Sequence, residues 1–284
     1  MSATGPDEQR AASREAWERA ATGWGSLADR IRDWGMPVSA AMVEGLALQP
    51  GQRVLELAAG PGDTGFMAAE LVAPGGELVT SDGAEAMLNV ARERAAKAGL
   101  DRVEFLQLEL EWIDLPAASV DAVLCRWGIM LIVDPGAAAQ EIRRVLRAGG
   151  HAALAVWDLP ERNPWATIPS QALISLGHAQ PPDPGAPGMF SLAQDGRLEE
   201  LLLTAGFVEV RVEPVSLERH YRDLDHFIAE NFEMSPILGA TYRGLPDSER
   251  QKVSDQMAAG AREFTAADGS ITLPGSSLVA LAFA

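Results

Sequence analysis

The segment Val54-Leu55-Glu56-Leu57-Ala58-Ala59-Gly60-Pro61-Gly62-Asp63-Thr64-Gly65 joins a short apolar strand to a glycine turn and sets an acid at the strand's end. Gly60-Pro61-Gly62-Asp63-Thr64-Gly65 spells G-x-G-x-x-G, the turn in which backbone amides and a helix N-terminus approach a pyrophosphate. Glu56, four residues before the first glycine, argues against that ligand. A carboxylate at the carboxyl end of the strand repels phosphate and attracts a cation. At ~4 Å and an effective dielectric of ~20, one such pairing is worth roughly 4 kcal/mol before desolvation and screening. The turn therefore favours a ligand bearing an amine or a sulfonium.

Outward from this turn, strand and helix alternate. The pattern predicts a strand over 53–57 and a helix over 63–73 that stops at Pro74-Gly75-Gly76. Strand 77–81 follows, then a helix over 84–98 closed by Gly99, strand 103–107 and strand 120–125. A helix over 136–147 ends at Gly149-Gly150 and leads into strand 152–157. Such βα units imply a parallel sheet covered on both faces. Ahead of it, residues 1–12 are small and polar and read as frayed, 13–32 as a helix carrying Trp17, Trp24, Leu27 and Ile31, and 38–48 as a second helix. Past Trp157 the Pro/Gly-rich stretch 181–188 interrupts the alternation and reads as an inserted lid. Helix 195–205 and strands 208–215 and 277–283 return to the sheet around a helical insertion at 223–266. The expected division is an N-terminal helical cap (1–45), a cofactor-binding core (46–157), a lid insertion (158–194), a return to the sheet (195–222), a second helical lid insertion (223–270) and a final strand (271–284).

Composition removes several classes of function. With 284 residues, 47% of them apolar, the chain can bury a large core. Against 40 acidic residues stand 23 basic ones, a net charge of −17, the wrong sign for a nucleic-acid partner. One cysteine, Cys125, rules out an internal disulfide framework and a cysteine-rich zinc site, and reads as a buried strand residue. The first 19 residues lack an apolar signal core, and nowhere do 18 apolar residues run together, so the expectation is a cytoplasmic protein without membrane insertion. No histidine or carboxylate spacing suggests a metal.

Polar groups fall at successive strand ends, where open parallel sheets bind ligands. After Glu56 comes Asp82, 20 residues beyond Gly62, the separation expected of an acid that holds ribose hydroxyls. Asp-Gly before a helix is also good capping chemistry. The third strand runs into Glu109 and Glu111.

Five motifs in this order resemble those of the class I S-adenosylmethionine-dependent methyltransferases, in particular the small-molecule enzymes of the ubiquinone/menaquinone-biosynthesis type. They are Glu56-Leu57-Ala58-Ala59-Gly60-Pro61-Gly62, Asp82-Gly83-Ala84-Glu85-Ala86-Met87-Leu88, Gln107-Leu108-Glu109-Leu110-Glu111, Ser119-Val120-Asp121-Ala122-Val123 and Glu141-Ile142-Arg143-Arg144-Val145-Leu146-Arg147-Ala148-Gly149-Gly150. The resemblance covers residues 50–157. It implies an α/β fold, a Rossmann-like doubly wound sheet of about seven strands, mostly parallel with an antiparallel last strand, plus helical lid insertions. It implies S-adenosyl-L-methionine as cofactor. Glu56 and the backbone from Ala58 through Gly60 to Gly62 would hold the aminocarboxypropyl end, Asp82 the ribose hydroxyls, and Gly83 or Met87 the adenine face. Glu109 would take the adenine amino group and the Leu110 amide a ring nitrogen. Ala58 stands where the family has glycine, and Leu108-Glu109 where it has Gly-Asp.

Arg126 and Trp127 fall where the family faces the methionine moiety and the acceptor, and an indole face near a sulfonium adds about 0.5–2 kcal/mol. Arg126 could instead neutralise Glu111 or Asp134. Trp24 is expected to close over the cofactor. Trp34, Trp165, Met189, Phe190, Phe227, Phe232 and Met234 suit an apolar or aromatic small-molecule substrate. Methyl transfer needs little acid–base help, because an activated donor and in-line placement supply much of the rate. If a base is required, His178 in the first lid is the candidate, with His220 and His226 as alternatives and His151 placed at the opposite sheet edge. An NAD(P)-dependent oxidoreductase, favoured by the literal glycine pattern, and a non-catalytic cofactor-binding protein remain alternatives.

Overall fold

Runs of aliphatic residues between glycine turns become the first four strands, β1 (Arg53–Glu56), β2 (Glu77–Asp82), β3 (Val103–Gln107) and β4 (Val120–Arg126). β1, β2 and β4 are buried nearly throughout, as strands covered on both faces must be, while β3 forms a more exposed edge. The computed structural model describes residues 5–183 and 185–284. Helices α1 (Pro6–Ser26) and α2 (Ala28–Gly45) precede the sheet, and α3 (Asp63–Val72), α4 (Glu85–Ala98) and α5 (Pro135–Val145) cross between its strands. β5 (Leu146–Trp157), α6 (Pro164–Ser175), α7 (Arg197–Thr204) and β6 (Glu209–Tyr221) follow, then α8 (Leu224–Met234), α9 (Pro236–Arg243), α10 (Asp247–Gly260) and β7 (Ile271–Phe283).

The sheet order is β3-β2-β1-β4-β5-β7-β6, parallel except for β7, which runs antiparallel to both β5 and β6. The expected seven-stranded, doubly wound arrangement with an antiparallel last strand is therefore present. Its winding reverses between β1 and β4, so the carboxyl ends of these two strands flank the crevice in which such sheets bind ligands. Ile31, Val38 and Met42 of α2, none of them exposed, join the strand residues in one core. Among the described residues no helix is long and apolar enough to cross a membrane.

Three boundaries differ from expectation for identifiable reasons. Residues 6–12, read as frayed, open α1, and one helix expected over 13–32 is two, parted at Leu27. The polar start of α1 is held from outside, by ion pairs to the loop after β3, and not by its own hydrophobicity. Residues 1–4 of the expected frayed segment, and Pro184 of the Pro/Gly-rich stretch, lie outside the described residues. Second, α5 gives way to β5 at Leu146, earlier than the glycine pair. Leu146 pairs with Val120 and His151 with Ala122, so residues 147–150 bulge out, with Gly149 at φ +75°. Third, β6 and β7 are each 13 residues long and pair along their whole length, from Glu209 opposite Phe283 to Tyr221 opposite Ile271. The strand expected over 277–283 thus begins at Ile271 and takes in Pro274 and Gly275. The second lid, α8 to α10, springs from the end of this ladder.

Candidate active site

The chain leaves β1 through a turn that only special residues can make. Ala58, Gly60 and Gly62 take φ of +50°, +54° and +89°. This left-handed conformation at Ala58 is why glycine is favoured there, since a Cβ crowds the following carbonyl. A Cβ on Gly128, just past β4, would lie 2.4 Å from the Cβ of Ala58, so the bare Gly128 makes room for that methyl group. A Cβ on Gly65 would lie 2.2 Å from Glu56 Oε2, so α3 starts directly against the carboxylate.

Glu56 does not project freely into the crevice as its position at the strand end suggested. It is buried, its Oε1 accepting the Gly65 amide at 2.6 Å and its Oε2 the Thr80 hydroxyl at 2.9 Å. Burial pushes its pKa up to about 7, against the lowering effect of these two bonds and of Arg126. Behind it lies a buried polar cluster. Arg126 donates to Ser39 Oγ at 3.0 Å and stands 3.8 Å from Asp63, and Ser39 bonds Thr64 at 2.9 Å. Burial lowers the pKa of Arg126, with Asp63 and Glu56 opposing. Arg126 thus neutralises Asp63, and neither Glu111 nor Asp134. Glu111 is held through both oxygens by Arg10 at 3.0 Å, and Asp134 caps α5 by accepting the Ala137 amide. Arg94, which the sequence reading did not single out, reaches from α4 to the Pro61 carbonyl and to Asp63 and so clamps the turn.

Asp82, at the end of β2, faces the turn from the other side. Its carboxylate accepts the Gly60 and Ala84 amides, each at 2.9 Å. Burial raises its pKa to about 6, helped by the nearby Glu109 and Glu18 carboxylates. Gly83 lies beside Glu109: a Cβ there would be 3.3 Å from Glu109 Oε2. Leu110 is buried, and Met87 packs with Ala20, Ala21 and Ala84 under α1. The structure therefore gathers Glu56, Ala58, Gly60, Gly62, Asp82, Gly83, Met87, Glu109 and Leu110 around one strand-end crevice.

α1 lies across this group. Arg14 holds Glu109 at 2.7 Å, Arg10 holds Glu111, and Glu18 caps the amides of Glu85 and Ala86 at the start of α4. Trp24 covers the glycine turn, 3.9 Å from where a Gly60 Cβ would stand, and donates its indole N–H to the Met234 carbonyl at 2.9 Å. On the far side of the turn, Trp127 is buried with φ +61° and stacks on Trp157 with centroids 4.3 Å apart. It contacts Trp34 at 5.3 Å, and its N–H goes to Ser277 Oγ at 2.7 Å.

His178 is not part of this assembly. Its Nε2 lies 3.1 Å from Glu249 of α10, so the imidazole expected as a base is engaged by a carboxylate of the second lid. His151 packs edge-on to Phe283 and His220 bonds Thr272 on β7. His226 lies 3.3 Å from Glu230 and packs edge-on to Tyr221. Cys125 is buried in β4 and burial pushes its thiol up to about 12, so it offers no nucleophile. The sequence reading also missed Arg219. Its signal is the alternation Leu217-x-Arg219-x-Tyr221, which sets an arginine on the buried face of β6.

Comparison with known proteins agrees with this geometry. Residues 48–175 match a family model described as a methyltransferase domain. A demethylmenaquinone methyltransferase of Clavibacter sepedonicus is 37% identical over 120 residues, 42% of this chain and 47% of that protein. A ubiquinone/menaquinone biosynthesis C-methyltransferase of Coxiella burnetii is 34% identical over 122 residues, 43% of this chain and 49% of the relative. The chain thus spans about half the length of the curated relatives it matches. Among solved structures, the YcgJ protein from Bacillus subtilis superposes with a TM-score of 0.59 at 18% identity, over 86% of this chain and 97% of its own, which shows the shared fold. The family match falls on the segment whose motifs resemble class I methyltransferases.

Proposed function

We propose that this protein binds S-adenosyl-L-methionine across the carboxyl ends of β1 to β3 and transfers its methyl group to a small apolar or aromatic acceptor by in-line displacement. The observation that carries this reading is the series of carboxylates Glu56, Asp82 and Glu109 at three successive strand ends around a left-handed glycine turn. Such a series suits a ligand that is cationic at one end and presents hydroxyls and an amino group along its length.

The residues present fit that group. A Cβ on Gly60 would meet only Trp24, at 3.9 Å, so the turn offers a bare backbone face. Asp82 accepts one amide at each oxygen and retains lone pairs for ribose hydroxyls. Gly83, Met87, Glu109 and Leu110 would border the adenine, with Arg14 yielding its hold on Glu109. Glu56 acts through the turn: it fixes the start of α3, and its charge favours a cation there. The bound cofactor supplies a methyl group already activated by a positively charged sulfur. What this chain contributes is placement, by holding the acceptor against Trp127, and exclusion of water, by α1 and Trp24 above the turn. No histidine is needed for that role. The single cysteine favours a reducing setting.

Isothermal calorimetry with S-adenosylhomocysteine and NADH tests the reading. Binding of S-adenosylhomocysteine alone is expected. Binding of NADH alone would replace it with the oxidoreductase suggested by the literal glycine pattern. A labelled methyl donor offered with phenols, quinones and amines then separates a catalyst from a non-catalytic binder.

A further inference from the structure

A buried guanidinium with unused donors lies against two indoles, with two more packed behind them. Arg219 of β6 is fully buried, with its Cζ 4.1 Å from the ring centre of Trp165 and 4.4 Å from that of Trp34. Trp34 in turn contacts Trp127 and Trp157. An arginine carries five N–H donors. Nη2 is engaged by Glu230 Oε1 at 2.7 Å and by Met234 Sδ at 3.2 Å. Nε and Nη1 have no partner among the described residues, and neither does the buried indole N–H of Trp34. That indole is an exception locally, because Trp127 and Trp165 spend theirs on Ser277 and Asn163. Donors buried without acceptors are rare and costly, so a cluster of them asks for an occupant rich in acceptors.

Charge points the same way. Glu230 is shared by Arg219, by Arg30 at 2.9 Å and by His226 at 3.3 Å, so two guanidinium groups face one carboxylate. This local excess of positive charge is set inside a chain of net charge −17. A planar guanidinium held against the faces of Trp34 and Trp165 matches a planar oxyanion. A cavity of about 320 Å³ lined by Gly23, Glu233 and Pro236 borders the turn that carries Met234, the unbranched side chain resting on Arg219.

We propose that Arg219 and Trp34 anchor the acceptor substrate, and that this substrate is a planar aromatic molecule bearing an anionic oxygen. The anion takes the free N–H groups of Arg219 and Trp34, and Met234 gives way so that the ring lies beside the indoles. Trp127, stacked against Trp34, connects this cluster to the glycine turn, so the anchor fixes which face of the ring meets the methyl donor. Only the word acceptor rests on the methyltransferase reading; the anion site stands on its own geometry.

The test is calorimetry on the full chain with three naphthalene probes of one shape: 2-naphthoate, 2-naphthamide and 2-naphthylmethylammonium. The parent is expected to bind 2-naphthoate about tenfold or more tighter than the other two, as a charge-assisted bond to a buried guanidinium requires. Arg219→Met preserves length and leaves Glu230 paired with Arg30. It is expected to lose about tenfold for 2-naphthoate and nothing for the amide. Trp34→Phe, which keeps a ring and removes one N–H, is expected to lose a few-fold for the anion. Equal binding of the three probes by the parent, no binding of any, or undiminished 2-naphthoate binding by either variant would overturn the proposal. If Arg219→Met fails to fold, the parent's charge preference and Trp34→Phe decide it. S-adenosylhomocysteine titrated into the same samples keeps the two readings apart, since its failure to bind removes the cofactor proposal and leaves the anion preference to be judged separately.

Discussion

At Ala58 the chain places a methyl group where its backbone, at φ +50°, favours none, and Gly128 is the compensation. Gly128→Ala drives two methyl groups to 2.4 Å, which is expected to cost about 1–3 kcal/mol by overpacking. Ala58→Gly in the same molecule removes both the collision and the left-handed strain and is expected to restore most of that loss. Urea melts of the two single variants and the double variant measure the coupling. Glu56 gives a second prediction. Its folded pKa is raised from 4.5 to about 7, so between those values the folded chain keeps a proton that the unfolded chain has released, and stability falls as pH rises. Glu56→Gln should be near neutral at pH 5, stabilise by up to about 3 kcal/mol at pH 8, and weaken binding of S-adenosylhomocysteine. Urea melts at the two pH values and calorimetry check it. The sequence showed where Glu56 and Asp82 stand, because strand ends and glycine turns are local signals. It did not show that Glu56 is spent on Gly65 and Thr80, nor that Arg126 meets Asp63, because those partners are set by how α2 and α3 dock. Arg219 was legible only as an odd member of an alternating face.

Among the elements, α1 carries the most function for its intrinsic stability. Its fully buried contacts are small, Ala20 and Ala21 against Ala84 and Met87 with Trp17 and Trp24 packed beside them, and its polar hold comes from the ion pairs of Arg10 and Arg14, from Glu18 on the amides of α4 and from the Trp24 N–H. A pair of substitutions, Arg10→Gln with Arg14→Gln, is expected to raise amide exchange across 6–26 by about tenfold while leaving the urea midpoint nearly unchanged, as for a local unfolding unit. Exchange followed by mass spectrometry reads both, and an equal rise throughout the sheet would show that α1 is integral to the global core. α1 also illustrates why some elements resist reading from sequence. β1 to β4 are short strands with apolar centres, and α4 ends at a left-handed Gly99 ahead of β3, so these elements carry local punctuation. The polar start of α1 has no apolar period to reveal it. β7 hides Pro274 and Gly275 inside a strand because its first half pairs only with β6 and departs from the main sheet.

For the molecule as a whole, charge and connectivity dominate. A net charge of −17 makes the compact state repel itself, so raising NaCl from about 10 to about 150 mM is expected to lift Tm by roughly 1–3 °C; a fall would mean that the surface ion pairs outweigh the repulsion. A calorimetric scan at the two salt concentrations decides it. The strand β7 lies between β5 and β6, so the sheet is completed only when the chain's last residues arrive. The layout of that sheet was legible because the motifs after β1 to β4 occur in a fixed order, whereas the lids were not, because nothing in a helix's own period says what it covers. The pairing of Tyr221 with Ile271 has a further consequence. The segment 222–270 leaves and re-enters the fold at one rung of a ladder, so its covalent attachment asks of the sheet only that two neighbouring strand ends be joined. A segment attached in this way behaves as a cassette. Its outer length and shape can change without altering the strand pairing, provided Glu230 still meets Arg219 and Met234 still meets Trp24, and the appetite of the molecule for its substrates can then change faster than the machinery beneath it.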